Sequence, residues 1–238
     1  MRSAAPRTLA LTDAHLARVA RAVPDPGRST RYTHLTDSEV DSLAQRLLAE
    51  NDGAPFWLFA YGSLIWKPAF EHVAALPCVA HGWRRSFCMD LRNWRATPDQ
   101  PGLMLALAKG GACSGVAYRM PDDDPHGRML RLLRREISYH VDVPWLRWLT
   151  VRAGGRSFRA LAFYCAPKQD LDYLQLPLAE QAARLARAVG HVGSCAEYLR
   201  NTVAHLEALG IRDSYLWKLQ SLVAAEIDAL PDMRRDGA

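Results

Sequence analysis

The sequence predicts an α+β fold, a small mixed β-barrel or sheet with peripheral helices. Two observations carry this. From Phe56 the chain runs through short apolar stretches rich in aromatic and β-branched residues, separated by Gly and Pro, which read as strands. Segments of helical periodicity lie before, between and after them. The composition, 49% hydrophobic and 23% charged over 238 residues, is that of a soluble globular chain long enough to bury a core. The organisation reads as an N-terminal helical extension, residues 1–55, followed by a catalytic domain, residues 56–238.

Taken in order, residues 12–22 have helical spacing, with Leu16, Val19 and Ala20 on one face, and Pro24-Asp25-Pro26-Gly27 ends the segment. Thr36-Asp37-Ser38-Glu39 is a capping box for a second helix, Leu35 and Val40 sit where a hydrophobic staple would, and Asn51-Asp52-Gly53 supplies the stop. Strands follow at FWLFA, CVAHGWRRSFCM, LMLALA and GVAYRM. The spacing predicts a helix near residues 125–137, with Met129, Leu132, Leu133 and Ile137 on its apolar side. Strands near 147–152 and 157–165 flank Gly154-Gly155 as a hairpin. The last third is helical, over 178–189 and 194–209 with Gly210 as a C-cap, then through a stripe of Leu216, Leu219, Val223 and Ile227.

The formal charge of +5 raises the question of an acidic partner. The basic residues are 26 Arg and only 4 Lys, scattered along the whole chain with no block and no aromatic interleaving, which argues against nucleic acid. No apolar run approaches the roughly 18 residues of a membrane span. Five cysteines, odd in number and without a C-x-x-C pair, suit neither a disulfide framework nor a zinc site and fit a reducing cytoplasm. Asp13 and Asp25 interrupt the Arg-rich N-terminus, so it reads as part of a cytoplasmic protein and not as a targeting peptide.

In Phe56-Trp57-Leu58-Phe59-Ala60-Tyr61-Gly62-Ser63-Leu64-Ile65-Trp66-Lys67-Pro68 an intensely apolar strand runs into a Gly-Ser turn. Such a turn can aim backbone N–H groups at an anion, although a lone Gly-Ser is more often just a bend. The full string resembles the signature of the γ-glutamyl cyclotransferase family, in its ChaC-type branch. Gly82-Trp83-Arg84-Arg85-Ser86-Phe87-Cys88 is similar to that branch's G-[WY]-x-R-x-F-C segment, and Pro101 to Leu107 to its P-G-x-x-L-A-L strand. Gly115-Val116-Ala117-Tyr118-Arg119, Arg135-Glu136-Ile137 and Gly193 to Leu199 resemble later segments in family order. The resemblance covers about residues 56–205, and the helical extension is similar to that of bacterial members.

On spacing alone, Glu136 among arginines reads as a surface ion-pair partner. The resemblance reverses this and implies that Glu136 is the catalytic base. It also implies a γ-glutamyl cyclotransferase-like fold and a glutathione-specific activity with no cofactor or metal. The Phe59, Ala60, Tyr61, Gly62, Ser63 and Leu64 segment then binds the γ-glutamyl group of a small-molecule substrate. The implied reaction is an intramolecular one: the free α-amine attacks the γ-carbonyl, closes a five-membered lactam and expels the rest as an amine. One glutamate can move both protons, and flanking Ile137 and Tyr139 allow the burial that would raise its pKa. Tyr164 and Tyr173 are further hydroxyl candidates, set against the tendency of strand aromatics to pack.

Three positions depart from the family pattern: Ala96 in Arg95-Ala96-Thr97, Cys195, and Ala60 before the first Tyr. They bear on substrate scope. The alternatives are a cyclotransferase for other γ-glutamyl amino acids or amines, and a non-catalytic binding protein on the same fold.

Overall fold

The apolar run after Phe56 forms β1 (Trp57–Ala60), and its Leu58, Phe59 and Ala60 are at most 1% exposed. β3 (Gly102–Arg119) pairs with it antiparallel, Ala60 opposite Val116. β5 (Arg156–Phe163) pairs with it parallel, Leu58 opposite Leu161. Burial on both faces explains a continuous apolar run where a half-exposed strand would alternate. With β2 (Ala74–Leu91) and β4 (Leu146–Ala153) the strands close a barrel in the order β1-β3-β2-β4-β5. The computed structural model describes residues 7–28, 30–165 and 172–231.

Two expected strands are one. LMLALA and GVAYRM both belong to the 18-residue β3, and Gly110 and Gly111 between them, which read as a break, sit inside it at φ of 100° and 79°. Positive φ is open to glycine, so the strand kinks in the manner of a bulge without ending. The side chain of Arg84 covers this kink and donates to the Lys109 carbonyl.

The described residues form two compact units. One takes Arg28–Cys88 and Leu105–Tyr173 and so contains most of the barrel. It also holds α2 (Asp37–Glu50), α3 (Ser63–Trp66), α4 (Pro125–Glu136) and a 3₁₀ turn (His140–Trp145). In α2 the expected capping box is present: the Thr36 N–H donates to Glu39 Oε2 at 2.8 Å, and the Glu39 N–H donates to Thr36 Oγ1 at 3.3 Å. Gly154 and Gly155, at φ of 54° and 79°, turn the β4–β5 hairpin. α3 and the 3₁₀ turn were not foreseen, being too short for a periodic signal.

The other unit takes the chain up to Gly27, Met89–Met104 and the chain from Leu174. It is built from α1 (Asp13–Val19), α5 (Leu178–Arg187), α6 (Cys195–Ala208) and α7 (Ser214–Asp228), with a small pair β6 (Val189–Gly190) and β7 (Gly193–Ser194). Leu216, Leu219, Val223 and Ile227 are fully buried, as their stripe predicts. Gln220, also inaccessible, is satisfied by the Leu11 N–H at 2.9 Å, which ties the N-terminal segment to α7. No helix among the described residues is long and apolar enough to cross a membrane.

Candidate active site at one end of the barrel

The strand registers settle which end of the barrel matters. β1 and β5 run in the same direction, so Ala60 and Phe163 lie at one end. β4 begins there, because Leu146 pairs with Phe163. β3 finishes at the opposite end, with Arg119 across from Trp57. The chain must therefore cross back from Arg119 to Leu146, and α4, 12 residues or about 18 Å long, lies on that return. Glu136, the last residue of α4, comes ten residues before β4 starts at the end where the Tyr61–Leu64 loop leaves β1.

Of the six loop and strand residues expected at the site, Phe59 and Ala60 are wholly buried, Tyr61, Gly62 and Leu64 are buried, and Ser63 is partly exposed. Gly62 caps α3, and the first N–H groups of a helical turn, here those of Ser63 and Leu64, have no acceptor within that turn. Two features sequence reasoning left out hold this loop. The first is Arg85, 4% exposed, whose Nε donates to the Tyr61 carbonyl at 2.7 Å and whose Nη2 donates to the Ser114 carbonyl at 2.5 Å. All peptides described are trans, so with the Tyr61 carbonyl turned to Arg85 the Gly62 N–H faces the other way. A signal was available: alternation in β2 puts Arg85 on the face of Phe87 and Met89, both buried.

The second is Gly115, where a Cβ would lie 2.4 Å from the Ala60 carbonyl oxygen and 2.8 Å from the Phe59 ring. Gly115→Ala is expected to destabilise the fold by about 1–3 kcal/mol through overpacking. A thermal melt would show this as a Tm lowered by roughly 2–12 °C. An unchanged Tm would mean the strands part without strain. Nearby, the buried Tyr118 donates its hydroxyl to the Ile65 carbonyl at 3.2 Å, closing the end of α3.

Glu136 is fixed from both sides. Upstream, Asp124 caps α4 by accepting from the Gly127 N–H at 2.9 Å, and Met129, Leu132 and Leu133 are fully buried. Downstream, the buried carboxylate of Asp142 accepts from the N–H groups of Ser138 and Tyr139, both at 2.8 Å. Leu35 and Thr33 bond the same stretch through Ser138 and His140. Flanking Ile137 and Tyr139 are 2% and 8% exposed.

The carboxylate itself makes the expected ion pair, Arg135 Nε to Glu136 Oε1 at 3.1 Å, yet its side chain keeps only 21% of its surface open. It is reachable and poorly hydrated at once. Burial pushes its pKa up, and Arg135 pulls in the opposite direction without cancelling it. The negative end of α4 acts with burial. Because the folded state holds this proton more tightly than the unfolded chain, Glu136 stabilises the fold below its unfolded pKa, and that contribution is lost as pH rises through the raised folded value. Glu136→Gln should therefore melt above the wild type at neutral pH, the gap closing below about pH 4. A variant melting lower at neutral pH would contradict the burial argument.

Two of the three departures from the family pattern flank Gly102 together. Ala96 and Cys195, 3% and 1% exposed, lie in the helical unit, where Cys195 Sγ donates to the Arg95 carbonyl at 3.3 Å. Burial pushes the Cys195 thiol up to about 11, so it stays protonated and available as a donor. A Cβ on Gly102 would come within 2.6 Å of that sulfur and 3.3 Å of Ala96 Cβ. Arg95 in turn holds Glu197 at 2.5 Å and the Ser194 carbonyl at 3.0 Å. The third, Ala60, is core. All five cysteines are buried free thiols, and among the described residues no group of three or more His, Cys, Asp or Glu is placed to hold a metal ion.

Comparison with known proteins follows the same geography, since a family model described as ChaC-like protein matches residues 56–226. The chain belongs to the ChaC-like family. It is 37% identical over 182 residues to the glutathione-specific gamma-glutamylcyclotransferase of Escherichia coli (strain K12), covering 76% of this chain and 78% of that one. It is 33% identical over 175 residues to gamma-glutamylcyclotransferase 2-3 of Arabidopsis thaliana, covering 70% and 87%. Among solved structures, a yeast γ-glutamyl cyclotransferase described as specific to glutathione superposes with a TM-score of 0.64 at 20% identity, covering 72% of this chain and 96% of that one. That likeness establishes the γ-glutamyl cyclotransferase-like fold, and the ChaC-like match takes in both the Tyr61–Leu64 loop and Glu136.

Proposed function

We propose that the protein is a glutathione-specific γ-glutamylcyclotransferase that converts glutathione to 5-oxoproline and Cys-Gly. What supports this is a poorly hydrated, partly open Glu136 at the end of α4, on the stretch of chain that returns to the barrel end where the Tyr61-Gly62-Ser63-Leu64 loop emerges, in a chain 37% identical to the Escherichia coli glutathione-specific enzyme. Glu136 takes one proton from the α-ammonium and passes it to solvent, the freed amine attacks the γ-carbonyl, and the second proton shed by the attacking nitrogen passes through Glu136 to the departing Cys-Gly nitrogen as the lactam closes and the C–N bond breaks. The nucleophile is already tethered to its target. Holding it in the cyclising rotamer captures an entropic advantage on the order of 7 kcal/mol when geometry is ideal. The N–H groups of the loop receive the substrate's anionic oxygens.

The reaction is redox-neutral, and its nucleophile and leaving group both belong to the substrate, so we assign it no cofactor. A cytoplasmic location suits five buried free thiols. Substrate scope is tested by supplying glutathione, γ-Glu-Ala and γ-Glu-Lys separately and measuring 5-oxoproline. Release from glutathione well above the other two is expected. Faster release from either of the others would overturn the glutathione reading, and release from none would overturn the enzymatic one.

A further inference from the structure

The end of the barrel where the Tyr61–Leu64 loop leaves β1 also carries an arginine with no acidic partner among the described residues. Arg147 is the second residue of β4 and is exposed. It pairs with Ala162 across β5, and Leu149 pairs with Ala160. Side chains alternate along a strand, so Arg147 shares one face with Leu149, Val151, Ala160 and Ala162, all of them buried. Tyr164 continues that face past Phe163. The Trp57 and Phe158 rings, 4.9 Å apart, place Trp57 and Phe59 on it as well, and Phe59 leads on to Tyr61 at 6.3 Å between ring centres. Tyr61, Tyr164 and Arg147 thus end the same face on three neighbouring strands.

Arg147 is held there by rings. Its guanidinium carbon lies 5.4 Å from the centre of Tyr164 and 5.6 Å from that of Trp83, whose rings meet edge to face at 5.5 Å. Those two cation–π contacts are its only described interactions, so the planar donor fork is orientated without being neutralised. An orientated guanidinium with no carboxylate beside it among the described residues is suited to one brought by a ligand. Two strand spacings separate β1 from β4, about 10 Å. An extended dipeptide reaches about 7 Å, and the arginine side chain covers the remainder.

We propose that Arg147, backed by Trp83 and Tyr164, receives the C-terminal carboxylate of the leaving dipeptide and so makes the enzyme favour a γ-glutamyl peptide that ends in a free acid. This rests on the function proposed above. The leaving group departs as a neutral amine at one end while its carboxylate stays on Arg147 at the other, so the interaction acts on binding and leaves the cyclisation step alone.

The test compares glutathione with glutathione carrying a C-terminal amide, on wild type and Arg147→Gln, reading 5-oxoproline. Wild type should favour the free acid in kcat/KM by about tenfold, the scale of one charge-assisted contact near solvent. Arg147→Gln should lose that preference through a raised KM for glutathione, with kcat held and the amide's constants unchanged. Equal use of acid and amide by wild type would overturn the assignment while leaving the cyclotransferase reading intact. So would a variant that keeps the preference, or one that falls equally on both substrates, since that is the mark of a structural role. Wild type that turns over neither substrate would overturn both. A matching melting curve for Arg147→Ala, assayed in parallel, separates lost packing from lost charge.

Discussion

Glu136→Gln should bind glutathione normally and release 5-oxoproline about 10²- to 10⁴-fold more slowly than wild type, the range of one positioned acid–base group. The amide keeps the shape and the neutral hydrogen bonds of the protonated acid, so Met129, Leu132 and Leu133 stay packed and only proton transfer is lost. The pH profile follows from the direction of the shift. The base works deprotonated, so wild-type kcat/KM should fall on acidification through a midpoint above the ordinary glutamate value of about 4.3. Arg135 limits how far above, because its Nε at 3.1 Å favours the charged form. Near-wild-type turnover by the variant would remove Glu136 from the chemistry. An acid limb at or below 4.3 would remove its raised pKa from the explanation.

Arg85→Met is expected to produce the second largest effect, on stability and rate together. The Tyr61 and Ser114 carbonyls would lose the buried Arg85 donor, a loss on the order of 1–3 kcal/mol for a buried acceptor. Released from Arg85, the Tyr61–Gly62 peptide is free to rotate and the loop's N–H groups lose their aim. Misplacement of about 1 Å at such a site is worth up to roughly 10²-fold in rate. Arg85→Lys keeps the charge but not the two-point fork, and should fall between wild type and Met in both readouts. The measurements are a thermal melt and kcat/KM for glutathione on the three proteins. A Met variant with wild-type values in both would show that the loop holds its shape unaided.

The barrel was readable because its strands are intensely apolar or strictly alternating. FWLFA, buried on two faces, and the alternating β4 with its Gly154-Gly155 turn both formed where expected. What misled was glycine used for bending: Gly110-Gly111 punctuates the sequence like a loop, while the strand passes through it under the cover of Arg84. The candidate site was readable only as far as its resemblance extended. Spacing pointed Glu136 to a neighbouring arginine, and that pair exists, but no periodicity shows that the same carboxylate is largely enclosed. The stretch that follows it is held by Asp142, which caps a turn too short to predict, and by Thr33 and Leu35, far away in sequence. Arg85 and Arg147 were hidden for a related reason. In a chain with 26 arginines, only strand parity and a list of acid partners separate a buried clamp or an unneutralised fork from solvated surface.

The most direct test of intramolecular cyclisation is to let the purified protein consume glutathione in ¹⁸O-labelled water and to identify the products by mass. The predicted result is 5-oxoproline and Cys-Gly in equal amounts, neither having gained the label, since no water enters the reaction. Glutamate carrying ¹⁸O would contradict it, because water would then have done the work assigned to the substrate's own amine.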